Sequence, residues 1–215
     1  MSPRKQFLGA ALGFCWAITE VLSIASAEPN FVVHHTIGSA PLDLTRAGDR
    51  VFFSADDGLS GRELWRLDQD GTYRMVRDIL PGPAGSDPNF LTPNATHLYF
   101  FAGNVDASGG FSRQLFATDG TADGTHRISS LTSGLDVLQM VATDWAIVMS
   151  ARTRTHGLEL WASLRDGSTP SGWGPLALVK NFDGTNGDGM SMGPFVVHTD
   201  SVIFAALNRP SAGRR

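Results

Sequence analysis

A single cysteine, Cys15, is the only thiol in 215 residues, which excludes an internal disulfide framework and any multi-cysteine metal site. Charge is sparse as well. Only 18% of residues are charged, 17 Lys and Arg against 21 Asp and Glu, too few and too balanced to hold a phosphate backbone by bulk charge. Nucleic acid is therefore not an expected partner. Beyond the N-terminal segment no stretch approaches the ~18 consecutive apolar residues of a membrane-spanning helix. No window there repeats apolar residues at three- and four-residue spacing either, so helix has little claim. His-x-x-x-His, Gly-x-Ser-x-Gly and a glycine-rich loop opening a helix are all absent, which removes the usual zinc, nucleophile-elbow and phosphate-loop signatures. What the chain does have is 42% hydrophobic residues, punctuated by 24 Gly and 11 Pro. That is enough apolar material for a packed core.

The first 27 residues read as an address. Arg4 and Lys5 precede a mostly apolar run from Phe7 to Ile18, and Ala25-Ser26-Ala27 stands before Glu28-Pro29. Small residues at the first and third positions before the cut suit a signal peptidase, so residues 1–27 are expected to be a signal peptide cleaved after Ala27. Export to the periplasm, cell surface or medium follows, with no transmembrane segment left and Cys15 removed. Glu20, a charge near the end of the apolar region, is what an uncleaved anchor would carry instead. Phe14 directly before Cys15 disfavours a lipoprotein, which needs a small residue there.

The remainder repeats itself. Leu44-Thr45 and Val51-Phe52-Phe53-Ser54-Ala55 recur as Leu91-Thr92 and Leu98-Tyr99-Phe100-Phe101-Ala102. They recur again as Met140-Val141 and Ile147-Val148-Met149-Ser150-Ala151, then as Phe195 and Val202-Ile203-Phe204-Ala205-Ala206. Gly61-Arg62-Glu63-Leu64-Trp65 is matched by Gly157-Leu158-Glu159-Leu160-Trp161 and, loosely, by Arg113-Gln114-Leu115-Phe116. Each is followed by a turn, at Asp70-Gly71-Thr72, Asp119-Gly120-Thr121 and Asp166-Gly167-Ser168. Short apolar and β-branched runs bounded by Gly, Asp and Pro are strands, and Asp-Gly between strands predicts type I′ hairpin turns. Self-similarity at roughly 45–50 residues with four strands per unit has the dimension of a propeller blade.

The expected fold is therefore all-β, a propeller-like array of four-stranded antiparallel blades in one domain over residues 28–207. Units span 41–87, 88–136 and 137–190, with partial units at 30–39 and 191–207 and a disordered tail at 208–215. Residues 30–39 look like the last strand of one unit and 191–207 like the first two strands of another. A blade made from both would lack its Glu-Leu-Trp strand, so an open or truncated array is favoured over a closed four-bladed ring. The repeat positions Leu64, Trp65, Leu115, Phe116, Leu160 and Trp161 are expected to be structural, with Trp65, Phe116 and Trp161 wedged between adjacent sheets. Asp70, Gly71, Asp119, Gly120, Asp166 and Gly167 are expected to be turn positions.

Glu-Leu-Trp followed by Asp-Gly-Thr, then Ala122-Asp123-Gly124-Thr125 and the linker from Asp78 to Ser86, resembles the bacterial ELWxxDGT repeat family. The resemblance covers residues 30–206. Glu-Leu-Trp is kept in the first and third units only, and the full Asp-Gly-Thr-x-x-Gly-Thr in the middle one. The resemblance implies exported proteins with propeller-like arrays and transfers no activity to named residues.

Chemistry is thin. Adjacent His34 and His35 point to opposite faces of a strand and cannot easily share a metal. Asp183, Asn186 and Asp188 form a weak calcium candidate. With Gly189 as the turn glycine, Gly184 and Phe195 fall where ligands are needed, so a flexible connector fits better. No other cofactor is implied. Glu63 and Glu159, with Gln114 between them in the series, recur once per unit, so each is expected to hold a neighbouring backbone N–H rather than to catalyse. Asn94-Ala95-Thr96 has the N-glycosylation pattern, which matters only in a eukaryotic secretory host.

An exported, non-catalytic binding or structural module is the expected function, presenting a surface to polysaccharide or to protein at the cell surface. Its contact candidates are the inserts Asn104–Phe111 and Pro170–Pro175, the latter carrying Trp173 either outward or folded back onto its own blade. One alternative is a remnant of a longer repeat protein. The other is a hydrolase or lyase drawing on the non-repeated Asp106, Asp144, Asp183, Asp188 and His156.

Overall fold

The computed structural model describes residues 20–25, 30–35, 39–105, 110–130, 135–153, 157–180 and 190–208. Among these residues every regular element is a strand and every pairing is antiparallel. The chain begins with β1 (Glu20–Ala25) paired to β2 (Asn30–His35). A four-stranded sheet follows, built in sequence order from β3 (Ser39–Ala47), β4 (Arg50–Asp56), β5 (Arg62–Leu67) and β6 (Tyr73–Arg77). A second sheet has the same order, with β7 (Asn89–Pro93), β8 (Leu98–Val105), β9 (Phe111–Thr118) and β10 (His126–Ser130). The third is β11 (Asp136–Ala142), β12 (Ala146–Thr153), β13 (Gly157–Leu164) and β14 (Ala177–Lys180). The last described segment is one interrupted hairpin, in which β15 (Met190–Met192) pairs with β18 (Ala206–Asn208) and β16 (Val196–His198) with β17 (Ser201–Ile203).

Glu20–Ala25 falls inside the stretch read as a signal peptide, so its strand pairing was not foreseen from the sequence. The Asp-Gly turns also differ from expectation. Between β5 and β6, Gly71 N–H donates to Asp68 O at 3.0 Å and Asp68 N–H to Thr72 O at 2.8 Å. Gly71 is left-handed at φ 81° while Asp70 is not. This is a type I turn closed by a left-handed glycine rather than type I′, because only one residue past the turn needs positive φ.

Consecutive sheets stack face to face. Phe52, Leu64 and Val76 of the first sheet meet Leu98, Phe100 and Phe116 of the second in one buried cluster. The opposite face of the second sheet (Tyr99, Phe101, Leu115) meets Ile147, Met149 and Trp161 of the third. Strands such as Tyr99-Phe100-Phe101 are apolar at consecutive positions because both faces are covered. The outer face of the third sheet, at Ala146, Val148, Leu160 and Ala162, is covered in part by Met192, Phe195, Val202 and Phe204 of the final hairpin. First strands adjoin as well, β7 lying against both β3 and β11.

Equivalent residues occupy equivalent places. Phe53 pairs with Trp65, Phe100 with Phe116 and Met149 with Trp161 across the second and third strands of successive sheets. A register shift falls at Leu64/Trp65 and again at Leu160/Trp161. Phe116, 5% exposed, and Trp161, 9% exposed, lie between sheets as expected of wedges. Trp65 does not match them. It is half-buried, and its indole N–H donates to Ala55 O at 3.1 Å.

Two glycines fix where the chain leaves one sheet for the next. A Cβ on Gly61 would stand 2.5 Å from Gly85 N, and one on Gly85 would stand 2.3 Å from Arg62 N. Both residues are left-handed, φ 67° and 65°. The backbone linking β6 to β7 therefore crosses the start of β5 with no room for a side chain on either. Gly85→Ala is expected to cost at least about 3 kcal/mol, combining strain of order 1–3 kcal/mol at positive φ with displacement of a packed backbone. A lower urea midpoint at unchanged m-value would record it.

Candidate functional site

Three turns share one hydrogen-bond pattern. Asp70 Oδ1 accepts from Thr72 N–H at 2.9 Å and Thr72 Oγ1–H at 2.6 Å. Asp119 Oδ1 does so from Thr121 at 2.8 and 2.7 Å, and Asp166 Oδ1 from Ser168 at 2.9 and 2.6 Å. These hydroxyl and backbone donors hold all three carboxyls below their ordinary value, the side-chain bond being the larger cause. With folded values depressed, their contribution to stability is present above about pH 3.8 and is lost as pH falls further. In each turn Oδ1 of the aspartate is the acceptor that closes the turn, a structural role.

The loop after Asp119 is gripped by the preceding sheet. Arg50 Nη1 donates to Asp119 O at 3.0 Å, Arg66 Nη1 to Gly120 O, and Arg77 Nη1 to Thr125 O at 2.6 Å. Asp68 faces Arg50, Arg66 and Arg74 at 3.2–3.4 Å and sets the first two guanidiniums in place. Beneath them the buried hydroxyls of Thr118 and Thr125 meet at 2.7 Å, and Thr125 Oγ1 also donates to Thr121 O at 2.6 Å. This clasp was not legible from the repeat, because His97 and Ala117 stand where Arg50 and Arg66 stand one unit earlier. Only physical adjacency in the folded chain reveals it.

Glu63 is fully buried. Its Oε1 accepts from Leu80 N–H at 3.1 Å and Ser86 N–H at 3.0 Å, and its Oε2 from Ser86 Oγ–H at 2.5 Å. Ser86 O in turn accepts from Gly103 N–H at 2.6 Å in the second sheet, and Arg62 O from Asp87 N–H at 2.9 Å. The carboxylate thus ties the inter-sheet linker down, which is the backbone-holding role expected of it. Burial pushes its carboxyl above the ordinary value in spite of these donors. Gln114 departs from that role: its Oε1 accepts from Arg127 Nη1 at 3.0 Å and its Nε2–H donates to Ser112 Oγ at 3.1 Å. Glu159 is also fully buried.

The other candidates are dispersed. Asp183, Asn186, Asp188, Asp106 and His156 lie outside the described residues, and among the described ones no group of three His, Cys, Asp or Glu is placed to hold a metal ion. Asp144 accepts from Asn94 Nδ2–H at 3.1 Å. Asn94 Nδ2–H also donates to Thr143 O at 3.2 Å while its Oδ1 accepts from Thr96 and His97 N–H groups. Its amide therefore bridges the second and third sheets and is not presented as a glycosylation acceptor. Trp173, offered by its insert as a contact residue, is 3% exposed. It stands edge-on to Tyr99 at 5.4 Å, with Arg165 5.2 Å from its ring centre. Trp173 is thus turned inward, but into the seam with the second sheet rather than onto its own blade alone.

A cleft of about 720 Å³ lies over the outer face of the third sheet, beside the final hairpin. Trp145, Leu160, Leu164, Leu178 and Val179 line it, with Arg165 and Asp166 at its edge. Leu164 and Val179 are each 56% exposed and Trp145 40%. The lining is mostly apolar. No helix among the described residues is long and apolar enough to cross a membrane. Neither any protein-family model nor any curated protein matches the chain.

Proposed function

We propose that the protein is an exported, non-catalytic, propeller-like repeat module whose sheets radiate from the adjoining first strands and whose role is binding or structural. The observation that carries this reading is the fate of the polar residues. Glu63, Asp70, Asp119, Asp166, Gln114 and Asn94 all satisfy the fold's own donors and acceptors. Support for the blade arrangement comes from face-to-face stacking of like-ordered sheets with adjoining first strands. The resemblance to ELWxxDGT repeats and the leader-like N-terminus support export, and the ligand class that suits the setting is polysaccharide or protein at the cell surface.

The test is a glycan array probed with the full chain, followed by product analysis of any sugar bound. Retention of a specific glycan without turnover is the expected result. Hydrolysis or elimination of the bound sugar would replace this reading with the enzymatic one. A chain that shows no cooperative melt would replace it with the remnant.

A further inference from the structure

The third sheet is followed by half a sheet. In the first two interfaces a whole four-stranded sheet lies on its predecessor, whereas the third sheet meets only the hairpin of residues 190–208, two strands wide. Phe195, Val202 and Phe204 of that hairpin pack on Ala146, Val148, Leu160 and Ala162. The part of the face formed by β13 and β14 is left as the cleft, with Leu164 and Val179 exposed in it. The hairpin is internally braced: Phe195 and Phe204 meet edge to face at 5.5 Å, and Gly193 N–H donates to Ala205 O at 2.8 Å.

The hairpin also has a second apolar face. Val202 and Phe204 point to the third sheet, so by strand alternation Ile203 points away from it, and so does Val196, its partner across the hairpin. Both are 55% exposed. In the second sheet, apolar residues at consecutive positions are covered on both sides; here one side is bare. Six of the ten large apolar side chains exposed among the described residues are Trp145, Leu164, Val179, Val196, Val197 and Ile203, all on the third sheet or this hairpin. Such a concentration marks an interaction surface.

A bare strip of sheet two strands wide thus lies beside a hairpin two strands wide whose far face is bare. A twofold axis running along the strands brings these surfaces together in pairs. It turns a second copy over, so that the two hairpins lie side by side and each presses its far face onto the strip of the other copy. An axis normal to the hairpin would instead put both third sheets on the same side, where they would collide. The new contact continues the one that the hairpin already makes with its own third sheet. It also brings Asp200, in the hairpin turn, to the end of the cleft where Arg165 stands, while Asp166 beside it is turned to Ser168.

We propose that this end of the array is a homodimer interface, in which the hairpins of two copies form one layer between their two third sheets, and Val196 and Ile203 of each fill the cleft of the other. Such a contact is isologous and closed, with its layers at the ~10 Å spacing of stacked sheets. It caps the end of the array in place of a fourth complete sheet.

The test is sedimentation equilibrium of the full chain in reducing buffer, which keeps Cys15 from linking copies. The parent is expected to be a dimer that dissociates on dilution. Ile203→Glu and Val179→Lys, both at side chains exposed in the single copy, should each weaken association at least about a hundredfold, since the twofold buries two unpaired charges per dimer. The Ile203→Glu/Val179→Lys double variant sets Glu against Lys at both contacts and should regain the dimer. Leu59→Glu, at an exposed loop position of the first sheet, should leave the mass unchanged. Near-UV circular dichroism matching the parent shows that each variant keeps its fold. A monomeric parent would overturn the proposal and leave the cleft to another occupant. So would a dimer that survives either single substitution, a double variant as weak as the singles, or assembly beyond two copies. A blank glycan array would leave these masses as they are, so this inference and the binding role fail separately.

Discussion

Glu63→Ala should be among the most damaging single changes in the molecule, lowering stability by about 3 kcal/mol or more. Three donors converge on its buried carboxylate, Leu80 N–H, Ser86 N–H and Ser86 Oγ–H. A buried donor stripped of its acceptor costs about 1–3 kcal/mol. The loss would not be local, because Ser86 also carries the bond from Gly103 N–H that links the first sheet to the second. Glu63→Gln should be far milder, within about 1 kcal/mol of the parent. It keeps one oxygen for the two backbone N–H groups, and the Ser86 hydroxyl can rotate to accept from the new amide. Urea titrations of the three proteins check the ranking. A Gln variant as damaged as the Ala variant would mean that charge, not acceptor geometry, holds the linker.

The same pair of proteins separates two pH effects of opposite sign. Glu63 is raised above its ordinary value of 4.5 by burial, so the folded state holds its proton more tightly than the unfolded state does. Its contribution is fully present below about pH 4.5 and is lost as pH rises through the raised folded value. The turn aspartates are depressed by their Thr and Ser donors and act in the other direction, losing their contribution as pH falls below about 3.8. Stability measured from pH 3 to pH 8 should therefore fall on the acid side in both proteins. Glu63→Gln removes the upper-side decline and leaves the acid side unchanged.

How much of this was visible beforehand depended on whether a feature recurred. The strands were legible because Val51-Phe52-Phe53 and its counterparts are apolar runs of strand length between turn residues, and the three Asx turns because Asp-Gly-Thr is a local motif that makes its bonds two residues away. The wedge role of Phe116 and Trp161 was legible for the same reason, from their constant place in each unit. Trp65 departs from it because its environment depends on which sheet lies on that face, and the residue type alone does not state that. The turn class was missed because left-handed geometry can be taken by one residue or by two, and Asp-Gly is compatible with both. The arginine clasp and the crossing of Gly61 over Gly85 join residues of different elements, with no spacing rule to announce them. The role of Glu63 came out correctly from its recurrence, whereas Gln114, at the matching place, answers to Arg127 instead.

Trp173→Ala should cost roughly 3–5 kcal/mol, the range for deleting a large aromatic from a core, although its insert of Gly, Pro and Ser looks like a surface loop. The ring stands against Tyr99 and shares with Met149 and Trp161 the buried cluster between the second and third sheets, and Arg165 covers it. The insert closes back by Gly174 N–H donating to Leu164 O at 2.8 Å and Ser163 Oγ–H donating to Gly174 O at 2.7 Å. Trp161→Ala should cost a similar amount. The double variant should lose less than the two singles together, since both rings belong to one buried cluster and their losses are coupled through it. Trp65→Ala, from a half-buried site, should cost clearly less than either. Denaturation followed by the remaining tryptophans measures all four. An unchanged midpoint for Trp173→Ala would return that residue to the surface and reopen the insert as a contact site. A large loss fixes it as the plug by which the third sheet is locked onto the second, and leaves recognition to residues that the core does not need.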